Sequence, residues 1–333
     1  MSPLAGVSPH PDAIRAVLAL VQPGLAHLET SLAALAESDD GVLGPMLSTV
    51  LPGTGKRLRP ALALLIGRMG GADAEALNHM AVGVELLHTA SLVHDDIVDE
   101  SDTRHGGATL YARVGNALAV LVGDYLFSQA AQECVATGDL QVVRLFAATL
   151  GAMAQGQIDD ANRQLGGHHA WETMTRDRYF RTIRGKTASL FVLACQGTGQ
   201  LSGMTPPQIA ALGAYGQSLG LAFQVVDDIL DFTSTEQQLG KPVGSDLRQG
   251  TITLPVILMR DLELADGRLR MAFESDDVDQ QVRLVQESGA IPAAFEEAAA
   301  LVSNARSALA IVPAGIERDA LDALAGYVTQ RAQ

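Results

Sequence analysis

The stretch SLVHDDIVDESDTRHGG runs from Ser91 to Gly107. Asp95, Asp96, Asp99, Glu100 and Asp102 fall within eight positions of it, directly after an apolar run. Read as the end of a helix, it sets Asp95 and Asp99 on one face, because residues four apart stack, with Asp96 about 100° round. Aspartates near a helix C-terminus oppose the helix dipole, and close carboxylates raise one another's pKa. Alone, one D-D-x-x-D more often marks an acidic helix end in solvent. Here VHDDIVD at Val93 returns as VVDDILD at Val225, bringing Asp227, Asp228 and Asp231. That separation is too long for a stacked repeat. The pattern predicts two facing helices with matching acidic ends that share a cation. Hard oxygen ligands without Cys or His suit Mg²⁺, which takes one or two carboxylates, waters and substrate phosphates.

Around these motifs the chain reads as helix throughout. Alanine and leucine dominate, with apolar spacings of three and four, and strand signals are scarce. Helices are predicted over 12–36, 58–70, 73–100, 108–113, 116–137, 140–165, 171–184, 186–201, 205–234, 251–263, 267–275, 277–288, 292–311 and 316–331. Glycine and proline clusters separate them, among them Pro52-Gly53, Gly70-Gly71, Gly106-Gly107, Gly166-Gly167 and Pro206-Pro207. No low-complexity linker divides the chain, so a single all-α domain over 1–333 is the expected architecture: a large helical bundle.

The bulk composition narrows the class. The 333 residues are 47% hydrophobic and 18% charged, which describes a folded globular chain. A net charge of −15 disfavours nucleic acid as a partner. Cys134 and Cys195 imply no disulfide framework and read as reduced, buried thiols. The N-terminus lacks a basic region followed by an apolar one, so no signal peptide is expected. Uninterrupted apolar runs fall short of the roughly 18–20 residues that span a bilayer. A cytoplasmic protein is the expectation, with peripheral membrane contact left open.

Basic residues complement the acids. GKRLRP at Gly55–Pro60 places Lys56 and Arg59 three apart at a helix start, where both can grip one phosphate. Arg104 follows the first acidic cluster and can reach the same space or pair with Asp102. Lys186-Thr187 opens a further helix, and Lys241 sits in the glycine-bounded LGKPVGSDLRQG just past the second cluster. His88, two turns before Asp95, reads by itself as a core histidine. Acids for metal and bases for phosphate together equip a chain to bind diphosphates.

In this order, GKRLRP, LLHTASLVHDDIVDESDTRHG, RGKTASLF, FQVVDDILDF and GKPVGSDLRQGTITLPV, the motifs resemble the trans-polyprenyl diphosphate synthase family along nearly the whole chain. The resemblance implies an all-α bundle around a deep central cavity, usually as a homodimer. It implies that Asp95, Asp96, Asp99, Asp227, Asp228 and Asp231 hold Mg²⁺, as three ions with substrate bound, on an allylic diphosphate. It implies that Lys56, Arg59 and His88 hold isopentenyl diphosphate and that Arg104 contacts the allylic diphosphate. Lys186, Thr187, Gln224 and Lys241 would line the reacting end and its leaving group. Two positions depart from the family pattern. His105 stands where many members have a second arginine, and a histidine is only partly charged near neutrality. Thr251 stands where many have lysine.

Product length and rival readings complete the expectations. Ala90 and Ser91 lie five and four residues before Asp95, about 6–7.5 Å deeper along the helix. Both are small, and Gly83 leaves further room below, so a product longer than geranylgeranyl is expected. Geranylgeranyl or farnesyl diphosphate synthase is the shorter alternative, and a class I terpene cyclase is another. A di-iron bundle would use Glu-x-x-His, which Glu85 to His88 fits once. A non-catalytic subunit of a heteromeric synthase should have lost its aspartates, and here all six remain.

Overall fold

The computed structural model describes residues 11–38, 41–52, 55–104, 106–164, 170–235, 242–262, 268–274 and 277–331. His105 and Lys241 lie outside these described residues. The helices run α1 (Pro11–Leu20), α2 (Gln22–Glu37), α3 (Leu43–Val50), α4 (Leu58–Gly70), α5 (Ala74–Val98), α6 (Leu110–Val114), α7 (Asn116–Ala136), α8 (Leu140–Gln164), α9 (Ala170–Thr173) and α10 (Arg176–Ile183). Then come α11 (Ser189–Val192), α12 (Thr198–Leu201), α13 (Pro206–Thr233) and the helices Ser245–Arg248, Leu254–Leu262, Arg268–Glu274, Val278–Glu287, Ala290–Ala308 and Ile316–Gln330. The fold is all-α. Its one described sheet is a two-residue hairpin, β1 (Thr103–Arg104) against β2 (Gly107–Ala108), antiparallel with Arg104 opposite Gly107.

Local chemistry sets the ends of these helices. The Asp73 carboxylate accepts from the Glu75 and Ala76 N–H groups at 3.0 Å and so caps α5. At the far end Glu100 adopts φ 48°, a left-handed stop that few side chains take. Gly71, at φ 74°, closes α4. Three differences from the sequence reading have similar causes. The 12–36 segment breaks at Val21, and Pro23 restarts it in the first turn of α2. No helix is predicted over 43–50, yet α3 forms there, with Pro45 in its first turn. The 171–184 segment divides at Thr175, whose hydroxyl accepts from Arg178 N–H and caps α10. Lys186-Thr187 does not open a helix. Arg184–Ala188 continues from α10 as a π-turn, with a second π-turn at Leu193–Gly197.

Internal contacts divide the chain into two compact units. The first comprises Met1–Leu150, Leu190–Gly216 and Arg306–Leu324; the second comprises Gly151–Ser189, Gln217–Ala305 and Ala325–Gln333. The division falls within α8 and α13, where the sequence carries no linker.

In the first unit α4 and α5 form the centre. Pro60 to Gly67 are all buried, so α4 is apolar around its whole circumference and must be surrounded by protein. Helix α7 lies close along α5. A Cβ on Gly83 would stand 3.2 Å from Cys134 Sγ and 3.4 Å from the Ala130 carbonyl, and one on Gly123 would stand 2.6 Å from the His94 ring. Gly83 therefore serves helix approach and does not leave the room below Ala90 that the sequence suggested. The His94 ring stacks on Phe127 at 5.0 Å between centroids.

The core of the second unit includes Tyr179, Val225, Val226, Ile229 and Phe232, all nearly fully buried. The buried Trp171 ring lies 5.1 Å from the Phe273 ring. Arg260 donates through Nη1 to the carbonyls of Trp171 at 2.9 Å and Met174 at 2.5 Å, satisfying groups at the end of α9.

Among the described residues, only the 206–233 helix is long and apolar enough to cross a membrane, and 56% of its most apolar window is buried inside the protein. Its hydropathy passes the test although its uninterrupted apolar runs do not.

Burial raises the Cys134 thiol to about 12, with Glu133 adding to the effect, and raises Cys195 further. Both thiols are free. Neither should react with a thiol reagent in the native protein at neutral pH, because the thiolate is the nucleophile. Both should react after unfolding in guanidinium, as read by the absorbance of released chromophore.

Candidate active site

Each unit carries one of the aspartate motifs. In the first, α5 delivers His88, Asp95 and Asp96 along its last three turns, and Asp99 caps its end. Asp96 is buried, and Arg104 Nε donates to its Oδ1 at 2.8 Å. The hairpin makes this contact possible. Ser101 N–H donates to the Asp96 carbonyl, and Thr109 donates back to Asp102 and Ser101, so the chain doubles over and returns Arg104 to α5. Of the two partners considered for Arg104, the fold selects the motif itself and not Asp102.

The basic stretch before α4 meets the same helix one to three turns earlier. Arg59 Nη1 lies 3.0 Å from His88 Nε2. A guanidinium only donates, so Nε2 accepts and the ring proton is assigned to Nδ1. The Arg59 guanidinium also covers the Phe191 ring at 4.6 Å. Arg59 and His88, 29 residues apart in sequence, are thus in contact within the first unit. Lys56, three residues before Arg59, is exposed. Ala90 is completely buried, and the Ser91 hydroxyl donates to the His88 carbonyl at 2.7 Å.

In the second unit, two glycines set the geometry. A Cβ on Gly156 would stand 2.4 Å from Lys186 N, and one on Gly185 would stand 2.6 Å from the Ala152 carbonyl. Only glycine permits this backbone crossing. One turn beyond it, Lys186 Nζ donates to Asp160 Oδ2 at 2.7 Å. The π-turn at 184–188 places Thr187 so that its hydroxyl donates to Gln224 Oε1 at 2.8 Å. Gln224 Nε2 donates to Asp228 Oδ1 at 2.8 Å, and Tyr179 donates its phenolic proton to Oδ2 at 2.6 Å.

The second aspartate motif is therefore not three equivalent ligands. Asp228 is 3% exposed, and burial raises its pKa well above the carboxylate range. Asp246 and Asp227 push the same way, while the Tyr179 and Gln224 hydrogen bonds oppose them. Asp231 is 1% exposed and accepts from Asp246 N–H at 3.1 Å, anchoring the segment that follows the motif. Asp227 is more open, and Arg331 pairs with its Oδ1 at 3.0 Å while covering the Phe223 ring. Thr251 uses its N–H on the Asp246 carbonyl.

Among the described residues, no group of three His, Cys, Asp or Glu side chains could by itself hold a metal ion. The donor set of each motif is all carboxylate oxygen, which fits Mg²⁺ held partly by a substrate's phosphates and not a closed protein cage. Sequence reasoning missed Tyr179, Asp160 and Arg331. Nothing in their local sequence distinguishes them; only the crossing at Gly156 and Gly185 and the return of the C-terminal helix bring them to the motif residues.

All-helical units carrying paired D-D-x-x-D motifs define the class, an isoprenoid prenyltransferase. The family model described as Polyprenyl synthetase matches residues 41–287, and the chain belongs to that family. It is 36% identical to octaprenyl diphosphate synthase of Haemophilus influenzae over 312 residues, 92% of this chain and 93% of the relative. A polyprenyl synthase from Caulobacter crescentus CB15, solved with calcium and isoprenyl diphosphate, superposes with a TM-score of 0.86 at 32% identity, covering 96% of this chain and 98% of the other. Geranylgeranyl pyrophosphate synthetase from Pyrococcus horikoshii Ot3 gives a TM-score of 0.85 at 30% identity, over 95% and 99%. The fold is thus shared by relatives named for long and for shorter products.

Tyr179→Phe should leave one oxygen of the buried Asp228 without its donor and cost about 1–3 kcal/mol of stability. A denaturant midpoint unchanged from the wild type would contradict this role for the hydroxyl.

Proposed function

We propose that this prenyltransferase joins an allylic prenyl diphosphate head-to-tail to isopentenyl diphosphate, with Mg²⁺, and releases diphosphate. The single observation that carries the reading is the retention of all six motif aspartates together with Lys56, Arg59, Arg104 and Lys186; among the described residues Thr251 is the departure. Asp95, Asp96 and Asp99, and Asp227, Asp228 and Asp231, would hold the metal. When bound, Mg²⁺ supplies Lewis-acid neutralisation of charge building on the departing diphosphate.

The chain's own residues do the rest. Arg104 and Lys186 bind and orient the allylic diphosphate. Lys56 and Arg59 bind isopentenyl diphosphate, and the His88 Nδ1–H is a further donor to it. The allylic carbon becomes cationic as its C–O bond breaks, so it needs oriented dipoles and not a nucleophile. The Gln224 amide oxygen and the Thr187 carbonyl serve there, and the Thr187 hydroxyl fixes the amide's orientation. The double bond of isopentenyl diphosphate attacks that carbon, and the proton then lost passes to the released diphosphate. Outside the described residues, Lys241 keeps the role its motif implies, and His105, in place of arginine, binds substrate phosphate as a partly charged and more pH-sensitive donor.

The product is proposed to be longer than geranylgeranyl, since Ala90 and Ser91 present no bulky floor. The relative named octaprenyl diphosphate synthase favours the same side. A homodimer is the proposed assembly: Leu118, Leu121 and Val135 are exposed apolar residues on α7. A cytoplasmic location with peripheral membrane contact suits an enzyme that takes up charged substrates and releases an apolar chain.

The test is incubation of the purified protein with isopentenyl diphosphate and each allylic primer in turn, with Mg²⁺ or with chelator, the products being sized after dephosphorylation. Elongated products that vanish with chelator are expected. A hydrocarbon or alcohol formed from the allylic diphosphate alone would instead indicate a cyclase. Asp95→Asn and Asp227→Asn should each lower turnover by about a hundredfold or more, the scale of losing several kcal/mol of charge stabilisation. Ala90→Phe should shorten the product; an unchanged chromatographic length would reject the open-floor reading.

A further inference from the structure

The sequence contains one Glu-x-x-His, Glu85 to His88, and the structure gives both residues the same kind of partner. They lie three apart on α5 and so share a face. His88 meets Arg59, and Glu85 Oε1 accepts from Arg57 Nη1 at 2.5 Å. Arg57 makes three further contacts. Its Nε donates to Glu29 Oε1 at 2.7 Å, and its Nη2 donates to Glu29 Oε2 at 3.2 Å and to the Leu51 carbonyl at 3.0 Å. The guanidinium therefore ties together α2, the end of α3 and α5. The Arg57 and Glu85 side chains are only 9% and 7% exposed.

The backbone of Arg57 is equally constrained. It takes φ 47° and ψ 40°, the left-handed region that non-glycine residues seldom adopt, and it stands as the N-cap of α4. Lys56 precedes this turn and Arg59 follows it. A residue holds such a conformation when its surroundings over-determine it, and here four polar contacts do so.

From this geometry we infer that Arg57 and Glu85 are positioning residues: their buried ion pair, with Glu29, fixes the left-handed turn that sets Lys56 and Arg59 toward one diphosphate. The inference rests on the proposed role of Lys56, Arg59 and His88 in holding isopentenyl diphosphate. Arg57 acts on the turn and not on the substrate: four of its five N–H donors are committed to Glu29, Glu85 and the Leu51 carbonyl. The second arginine of the Arg57–Leu58–Arg59 stretch acts on the ligand, and the first acts on the turn.

The test compares steady-state constants for the two substrates in the full-length enzyme. Glu85→Gln should raise KM for isopentenyl diphosphate about tenfold, the scale of displacing a charged contact. KM for the allylic diphosphate and kcat should stay within about twofold. Arg57→Gly and Arg57→Ala separate positioning from direct contact. Both lose the guanidinium, but glycine takes the left-handed turn freely. Arg57→Gly should therefore keep a lower KM for isopentenyl diphosphate than Arg57→Ala. Equal losses in the two variants would overturn the assignment, as would an unaltered KM in Glu85→Gln. If Glu85→Gln fails to fold by circular dichroism, Glu29→Gln, at the half-exposed end of the pair, should show a smaller shift in the same constant alone; no shift there overturns the assignment. Wild-type protein that neither binds isopentenyl diphosphate by calorimetry nor elongates a primer would overturn the proposed function itself, an outcome distinct from these.

Discussion

A carboxylate with 3% exposure is costly unless it is hydrogen-bonded or compensated by positive charge, and Asp228 is such a group. Its two oxygens accept from Tyr179 and Gln224, and Gln224 is in turn held by Thr187. The second unit is arranged around this chain of donors. Tyr179 must come from α10, Thr187 from the π-turn after it, and Gln224 from one turn before Asp228 on α13. The neighbouring Asp227 and Asp246 raise the charge burden further. A bound cation would reverse that burden, since ions of this kind are the largest local charges in their sites. The same residues that make the metal-free carboxylate unfavourable make the cation favourable.

Close helix approach is the second constraint. Gly156 and Gly185 let two backbones cross with no room for a Cβ; between α5 and α7, Gly123 makes space for the His94 ring and Gly83 for a close approach of Cys134 and the Ala130 carbonyl. The functional consequence differs between the two places. At Gly156 the crossing delivers Asp160 to Lys186, so the lysine ammonium is held by a carboxylate from another helix. At Gly83 the approach brings α7 residues against α5. Small residues on a helix face thus have two uses, and chain position alone does not separate them.

The two arginines of the α4 entrance, Arg57 and Arg59, show the same division at one site. Arg57 is buried among acceptors from three elements, while Arg59 spreads over Phe191 and touches His88. Arginine suits both tasks because its planar fork satisfies several acceptors when buried and grips phosphate oxygens when open. Arg57 itself takes the left-handed turn that Arg59 follows.

The sequence by itself determined the helical class, most helix spans and the chemistry. Apolar spacing of three and four is a local property, and paired D-D-x-x-D with a Lys-x-x-Arg start is legible wherever it occurs. Two of the boundaries that went astray lie at prolines, Pro23 and Pro45, which either break a helix or begin one according to the turn around them; a third lies at the Thr175 cap. Tertiary structure decided what each charged group is paired with. Arg104 chose Asp96 because a two-residue hairpin folded it back; Tyr179, Asp160 and Arg331 reached the motifs from remote segments. Hydrogen bonds and ion pairs act over about 3 Å between groups that can be 100 residues apart along the chain, and only packing brings such groups within that range.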